Sequence, residues 1–221
     1  MRFSTRRFIR VIRKREHNCC EQKIAHFLQK EHQITLSVPK IYEVLAEKYT
    51  LRSKWTKNQT RGQLPEAEAP RQVVQMDTVH FGQVFAFTAV EIFSREADVL
   101  QRPSLLTVDG GAFLQFTLPR RFDGFVQTIQ TDSDSEFEAE FARTVPLFCR
   151  QHRIARPYKK NEQSFIESFN RTVWSEGLGW AKYRVEELPK LTHEVEAFSE
   201  RYYYHRPHLV FNLMRPPLTR K

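Results

Sequence analysis

The sequence predicts a small all-α unit followed by a mixed α/β layer. Three observations lead there. Positive charge and helical periodicity concentrate in the first fifty residues, a polar stretch without periodicity follows, and the remainder switches to Val- and Phe-rich runs of strand length alternating with helical patterns. With 40% hydrophobic residues and 18 Phe, the chain of 221 residues can fill a core, which excludes a wholly disordered protein. No apolar stretch approaches the length of a membrane span, and "MRFSTRRFIRVIRKREH" lacks the apolar region of a secretory signal. A soluble cytoplasmic protein without a membrane partner is therefore expected.

The net charge of +9 is unevenly placed. Residues 1–61 hold 15 Lys and Arg against 5 Glu, or +10, and residues 62–221 hold 20 against 21, or −1. A basic, helically patterned segment raises nucleic acid as the partner. In "RRFIRVIRKRE" the apolar Phe8, Ile9, Val11 and Ile12 alternate with cations, as in a basic amphipathic helix. A second helix fits "EQKIAHFLQKEH". After "QITLS", Ser37 can cap a third, "VPKIYEVLAEKY", whose Pro39 is tolerated in the first turn. Two helices joined by a short break form a helix-turn-helix candidate over residues 1–50, and Ser37, Lys40 and Tyr42 lie nearest the end that would enter a DNA groove. A purely structural three-helix cluster is the alternative. Residues 51–71, with Gly62, Pro65 and Pro70, read as a linker. Cys19, Cys20 and Cys149 are odd in number with no CxxC pair, which predicts plain thiols.

From residue 72 the text reads as strands "RQVVQMDTVHF", "QVFAFTAVEIFS" and "EADVLQR", then the ambiguous "SLLTVDGGAFLQFTL", whose Gly110 and Gly111 count against a helix. A fourth strand, "GFVQTIQT", precedes helical patterns over "SEFEAEFARTVPLFCRQH", "NEQSFIESFNRTVWSEGLGW" and "LPKLTHEVEAFSERYYYH". On this framework Asp77 interrupts the first strand, Asp132 ends the fourth, and Glu167 sits in the helix "SFIESFNRT". A carboxylate in an apolar strand is costly to bury unless paired or bound to a cation. Two Asp and a Glu meeting at one end of a sheet would favour Mg²⁺ or Mn²⁺, which take oxygen ligands, and two such ions suit in-line phosphoryl transfer.

Asp77 in "QMDTVHF", Asp132 in "QTDSDSEF" and Glu167 in "RPYKKNEQSFIESFNRT" resemble the catalytic triad of the DDE transposases and retroviral-type integrases, in particular bacterial insertion-sequence transposases. The 34 residues between Asp132 and Glu167 are close to that family's spacing, and the terminal "YYYHRPH" is a further match. The resemblance runs from about Gln72 to the end, so residues 72–221 are expected to form an integrase-like core with a helical tail. It implies a ribonuclease-H-like fold, a mixed five-stranded sheet flanked by helices.

The implied activity is metal-dependent transfer: water nicks the element's ends, and the freed 3′-hydroxyl attacks target DNA. Asp77, Asp132 and Glu167 would hold two Mg²⁺ or Mn²⁺ ions, while Asn170, Arg171, Lys159 and Lys160 would approach DNA. The implied partners are terminal inverted repeats, target DNA and at least one further copy of the chain, in a bacterial, nucleoid-associated setting. Two other readings stay open: a related nuclease without strand transfer, and a catalytically impaired regulator that keeps the DNA-reading segment. Where the family usually reads Asn-Gly, this chain has Ser133-Asp134. An Asp there would strain a positive-φ turn or add a carboxylate to the site.

Overall fold

The computed structural model describes residues 3–17, 19–49, 64–156 and 161–213, which fall into two compact units. In the first, the apolar periodicity becomes α1 (Phe3–Arg15), α2 (Glu21–His32) and α3 (Val38–Ala46). Ile9 and Ile12, Ile24 and Leu28, and Ile41, Val44 and Leu45 are all but fully buried against one another, and Lys23 is buried beside them at 5% exposed. Residues 206–213 cluster with these helices rather than with the core that they follow in sequence.

The second unit is built on a five-stranded sheet in the order β3-β2-β1-β4-β5. Its strands are β1 (Val73–Phe81), β2 (Val84–Glu91), β3 (Ala97–Arg102), β4 (Val126–Thr131) and β5 (Cys149–Ile154). The first three form an antiparallel meander, and β4 and β5 add on in parallel. Gly82 opens the two-residue turn between β1 and β2 at φ +84°, a conformation that L side chains rarely adopt.

Helices cover both faces of the sheet. On one, α4 (Thr107–Arg121) and α5 (Ala139–Thr144) bury Phe113, Leu114, Leu118 and Phe141 against Val74, Met76, Phe87 and Ile129. On the other, α6 (Ser164–Thr172) and α7 (Leu188–Tyr204) bury Ile166, Phe169, Leu191, Val195 and Phe198 against Val79, Phe81, Val84, Ala86 and Val99. This is the mixed five-stranded sheet flanked by helices that the resemblance implies.

Two local readings change. The ambiguous glycine-bearing segment is helical, and Gly110 is there for packing: a Cβ on it would lie 2.5 Å from the carbonyl oxygen of Glu136. The helical pattern that runs into "CRQH" stops early. Pro146 lies in a short 3-10 turn, Val145–Leu147, after which the chain extends into β5. As an edge strand with only Cys149 buried, β5 lacks the alternation that betrays a strand.

The terminal tyrosines also have a structural role. The Tyr203 hydroxyl donates to Ala97 O at 2.5 Å and accepts from Ala97 N at 2.8 Å, pinning α7 to β3, while Tyr202 donates to Arg95 O at 2.9 Å. Tyr203 is held above the usual phenol range by its burial.

Candidate active site

Strand register brings the two aspartates together. Parallel pairing of β1 with β4 runs Val73↔Thr128, Val74↔Ile129, Gln75↔Gln130 and then stops. Continued by two residues, it sets Asp77 beside Asp132 where the strands part, at about the 4.8 Å spacing of neighbouring strands. Their charges report the proximity. Burial, with repulsion from Asp132, Asp134 and Glu136, pushes the Asp77 carboxyl up to about 7, against the pull of its hydrogen bond from Thr78 N. Burial likewise raises Asp132, with Asp134 and Glu136 adding to the effect.

Alternation along β1 divides the surrounding contacts. Asp77 faces α6, where Asn170 Nδ2 donates to Asp77 Oδ2 at 2.7 Å. Asn170 Oδ1 in turn accepts from Thr88 Oγ1 at 2.7 Å, and the same hydroxyl lies 3.0 Å from Asp77 O. Thr78 faces the opposite side and donates to Glu136 Oε1 at 2.5 Å. Glu136, at the start of the stretch with helical pattern, is a buried carboxylate in the 3-10 turn Ser135–Phe137.

Asp134 precedes that turn at φ −73°, ψ 148°, an ordinary extended conformation. The expected backbone strain is therefore absent. Asp134 N donates to Asp132 Oδ1 at 3.1 Å, and its own charge joins the acidic cluster.

Glu167 stands apart from the two aspartates. Among the described residues no three His, Cys, Asp or Glu side chains converge to hold a metal ion, so Asp77, Asp132 and Glu167 do not close into one cage. The reason lies in helix geometry. Asn170, not Glu167, holds the position on α6 that meets Asp77; three residues earlier, Glu167 is one turn back and about 60° round, and it is exposed. Asn170, expected to approach DNA, is a buried strut here, 4% exposed. Arg171 is exposed, its Nε 3.3 Å from Glu167 O. Lys159 and Lys160 lie outside the described residues.

A pair of glutamines fixes the start of α6. Gln75 Nε2 and Gln130 Nε2 both donate to Glu162 O, at 2.5 and 2.7 Å, and Gln75 Oε1 accepts from Ile166 N at 3.0 Å. Glu162 is itself buried and ion-paired with Arg156 at 2.5 Å and Arg153 at 3.3 Å. Each glutamine stands two residues before an aspartate, in "QMD" and "QTD". That repeated Gln-x-Asp was the signal available in the sequence.

In the first unit, Ser37 precedes α3 in an extended conformation, φ −69° and ψ 146°, with its side chain exposed and making no capping bond. Lys40 is exposed and paired with Glu43 at 2.6 Å, and Tyr42 is 44% exposed.

Sheet order and the helices on both faces define a ribonuclease-H-like fold. A solved structure agrees on the fold. A chain of the simian T-cell lymphotropic virus intasome in complex with PP2A regulatory subunit B56 gamma is similar over 96% of this chain and 78% of that one, with a TM-score of 0.55 at 14% identity. The catalytic core domain of BIV integrase is matched over 62% of this chain and 87% of that one, with a TM-score of 0.48 at 16% identity. No family model matches the sequence, and no curated protein sequence matches it.

Proposed function

We propose that this chain is a DNA transposase or integrase, a polynucleotidyl transferase that nicks element ends and joins the 3′-hydroxyl to target DNA. The observation that carries the reading is the meeting of Asp77 and Asp132 at the point where β1 and β4 diverge. Two half-buried, mutually repelling carboxylates fit a hard divalent cation such as Mg²⁺ or Mn²⁺ in charge and in ligand type. Asp77 and Asp132 would hold it, with Glu167 the third carboxylate within one turn of Asn170 on α6. When bound, the ion would supply charge stabilisation for phosphoryl transfer.

The chain's own residues have definable parts. Asn170 orients Asp77, leaving further lone pairs on both of its oxygens, and Thr78 ties the adjoining backbone to Glu136. Arg171, exposed on α6, would meet a phosphate, as would Lys159 and Lys160. In the first step water attacks the phosphodiester and the 3′ oxygen departs; in the second that hydroxyl attacks a target phosphate and displaces its 3′ oxygen. The first unit would bind the terminal repeats, with Ser37, Lys40 and Tyr42 at the reading end of α3, and pairing two ends would call for at least a dimer.

The competing reading is a DNA-binding regulator without chemistry. Incubating labelled element ends with Mg²⁺ or Mn²⁺, beside Asp132→Asn, separates the two. Joined product from the wild type alone supports the transferase. Nicking without joining indicates a nuclease, and tight binding without cleavage indicates the regulator.

A further inference from the structure

The outer face of α1 carries a feature that the reading end of α3 does not explain. Arg6, Arg7, Arg10 and Lys14 line an open groove of about 390 Å³, closed at its far side by Lys48 and Tyr49. Glu47 accepts from Arg6 at 2.8 Å and from Arg10 at 3.0 Å, so one carboxylate answers two guanidiniums. Arg7, Lys14 and Lys48 are exposed, and no ion pair is found for them among the described residues. Arg10 also keeps a buried Nε–H with no partner. The wall is built rather than incidental: Arg13 stacks over the Tyr49 ring at 5.2 Å while donating to Cys19 O at 2.9 Å, fixing the segment after α3 against α1.

We propose that this groove holds the sugar-phosphate backbone of duplex DNA, anchoring the first unit beside whatever α3 reads. The inference rests on the proposal above that DNA is the substrate. Charge complementarity selects the occupant. Arg7, Arg10 and Lys14 recur at three and four residues, so they share a face and span about 10 Å of helix. That length matches roughly three phosphates of axial rise along one strand. Val11, 50% exposed between them, offers an apolar contact for deoxyribose. A groove of this composition contacts phosphates and carries no base readout.

The test uses the full chain with R7Q, K14Q and K48Q combined, all at exposed positions, against a control triple of R143Q, K182Q and K190Q that removes equal charge from the second unit. Duplex affinity is followed by fluorescence anisotropy between 50 and 200 mM salt. Three lost phosphate contacts should flatten the log–log salt slope by about 2.7, so that the wild type loses about 40-fold more affinity than the groove variant over that range. The control should keep the wild-type slope, and K14R with K48R should keep it too. Equal flattening in both triples, or none in the groove variant, overturns the groove while leaving DNA as substrate intact. A wild-type chain that does not bind duplex at low salt overturns both.

Discussion

Replacing Gln75 with Leu tests how the sheet sets the position of α6. Gln75 is fully buried, and its side chain makes two bonds to the segment that leads into α6. In the variant, Glu162 O keeps its bond from Gln130, but Ile166 N, in the first turn of the helix, loses its partner in a buried setting. Leaving one buried amide unpaired costs about 1–3 kcal/mol, and loss of the second bond adds about 1 kcal/mol. Gln130→Leu removes the bond to Glu162 O, an acceptor that Gln75 still satisfies, and a long bond to Gln163 Oε1 at 3.4 Å, so it should cost only about 0.5–1.5 kcal/mol. Combined, the substitutions orphan Glu162 O, and the double variant should exceed the sum of the singles by about 1 kcal/mol or more. Urea denaturation of the four proteins measures this directly. Equal costs for the two single variants, or strict additivity in the double, would refute the shared clamp. If the clamp sets where α6 stands over Asp77, strand cleavage should fall in Gln75→Leu by more than the loss of folded protein accounts for.

Four further outcomes follow from the same contacts. Asp77, ordinary in the unfolded chain and raised to about 7 in the fold, binds more protons when folded; metal-free stability should therefore fall as pH rises from about 4 to 7, and Asp77→Asn should flatten that dependence in thermal melts. Millimolar Mg²⁺ or Mn²⁺ at pH 7.5 should raise the wild-type melting temperature and leave Asp132→Asn unchanged, because only a ligand bound to the native state stabilises it. Gly110→Ala places a methyl 2.5 Å from Glu136 O and should cost about 1–3 kcal/mol by denaturation, since the close contact is with backbone that cannot turn aside. Tyr203→Phe removes both bonds to Ala97 and should cost about 1–3 kcal/mol in the same measurement.

Periodicity made most of the fold legible. Val- and Phe-rich runs marked β1 to β4, and three- and four-residue spacing marked α1, α2, α3 and α7. β5 escaped because one buried residue among polar neighbours leaves no alternation to read. α4 was obscured because glycine lowers helix propensity, while the reason for Gly110 is a contact with a turn 26 residues away in sequence. The paired aspartates were readable, Asp77 as a carboxylate interrupting an apolar strand and Asp132 as the end of another. Glu136 was not, since it looked like an ordinary first-turn Glu, and Asn170 was singled out only for an approach to DNA; the packed sheet alone shows that one meets Thr78 and the other Asp77.

The site's architecture follows from the two-residue period of a strand. In β1, Gln75 and Asp77 necessarily share a face, so the surface that grips the start of α6 also presents the carboxylate to that helix one turn further on, through Asn170. In β4, Gln130 grips the same carbonyl two residues before Asp132. Both aspartates are therefore one pleat away from the same fixed point. Thr78, on the opposite face, anchors the strand to Glu136 and leaves α6 to one side of the sheet alone. Any movement that closes Glu167 on the aspartates must accordingly turn or slide α6 about its glutamine-held start, and a substitution that loosens that start should alter the metal response as well as stability.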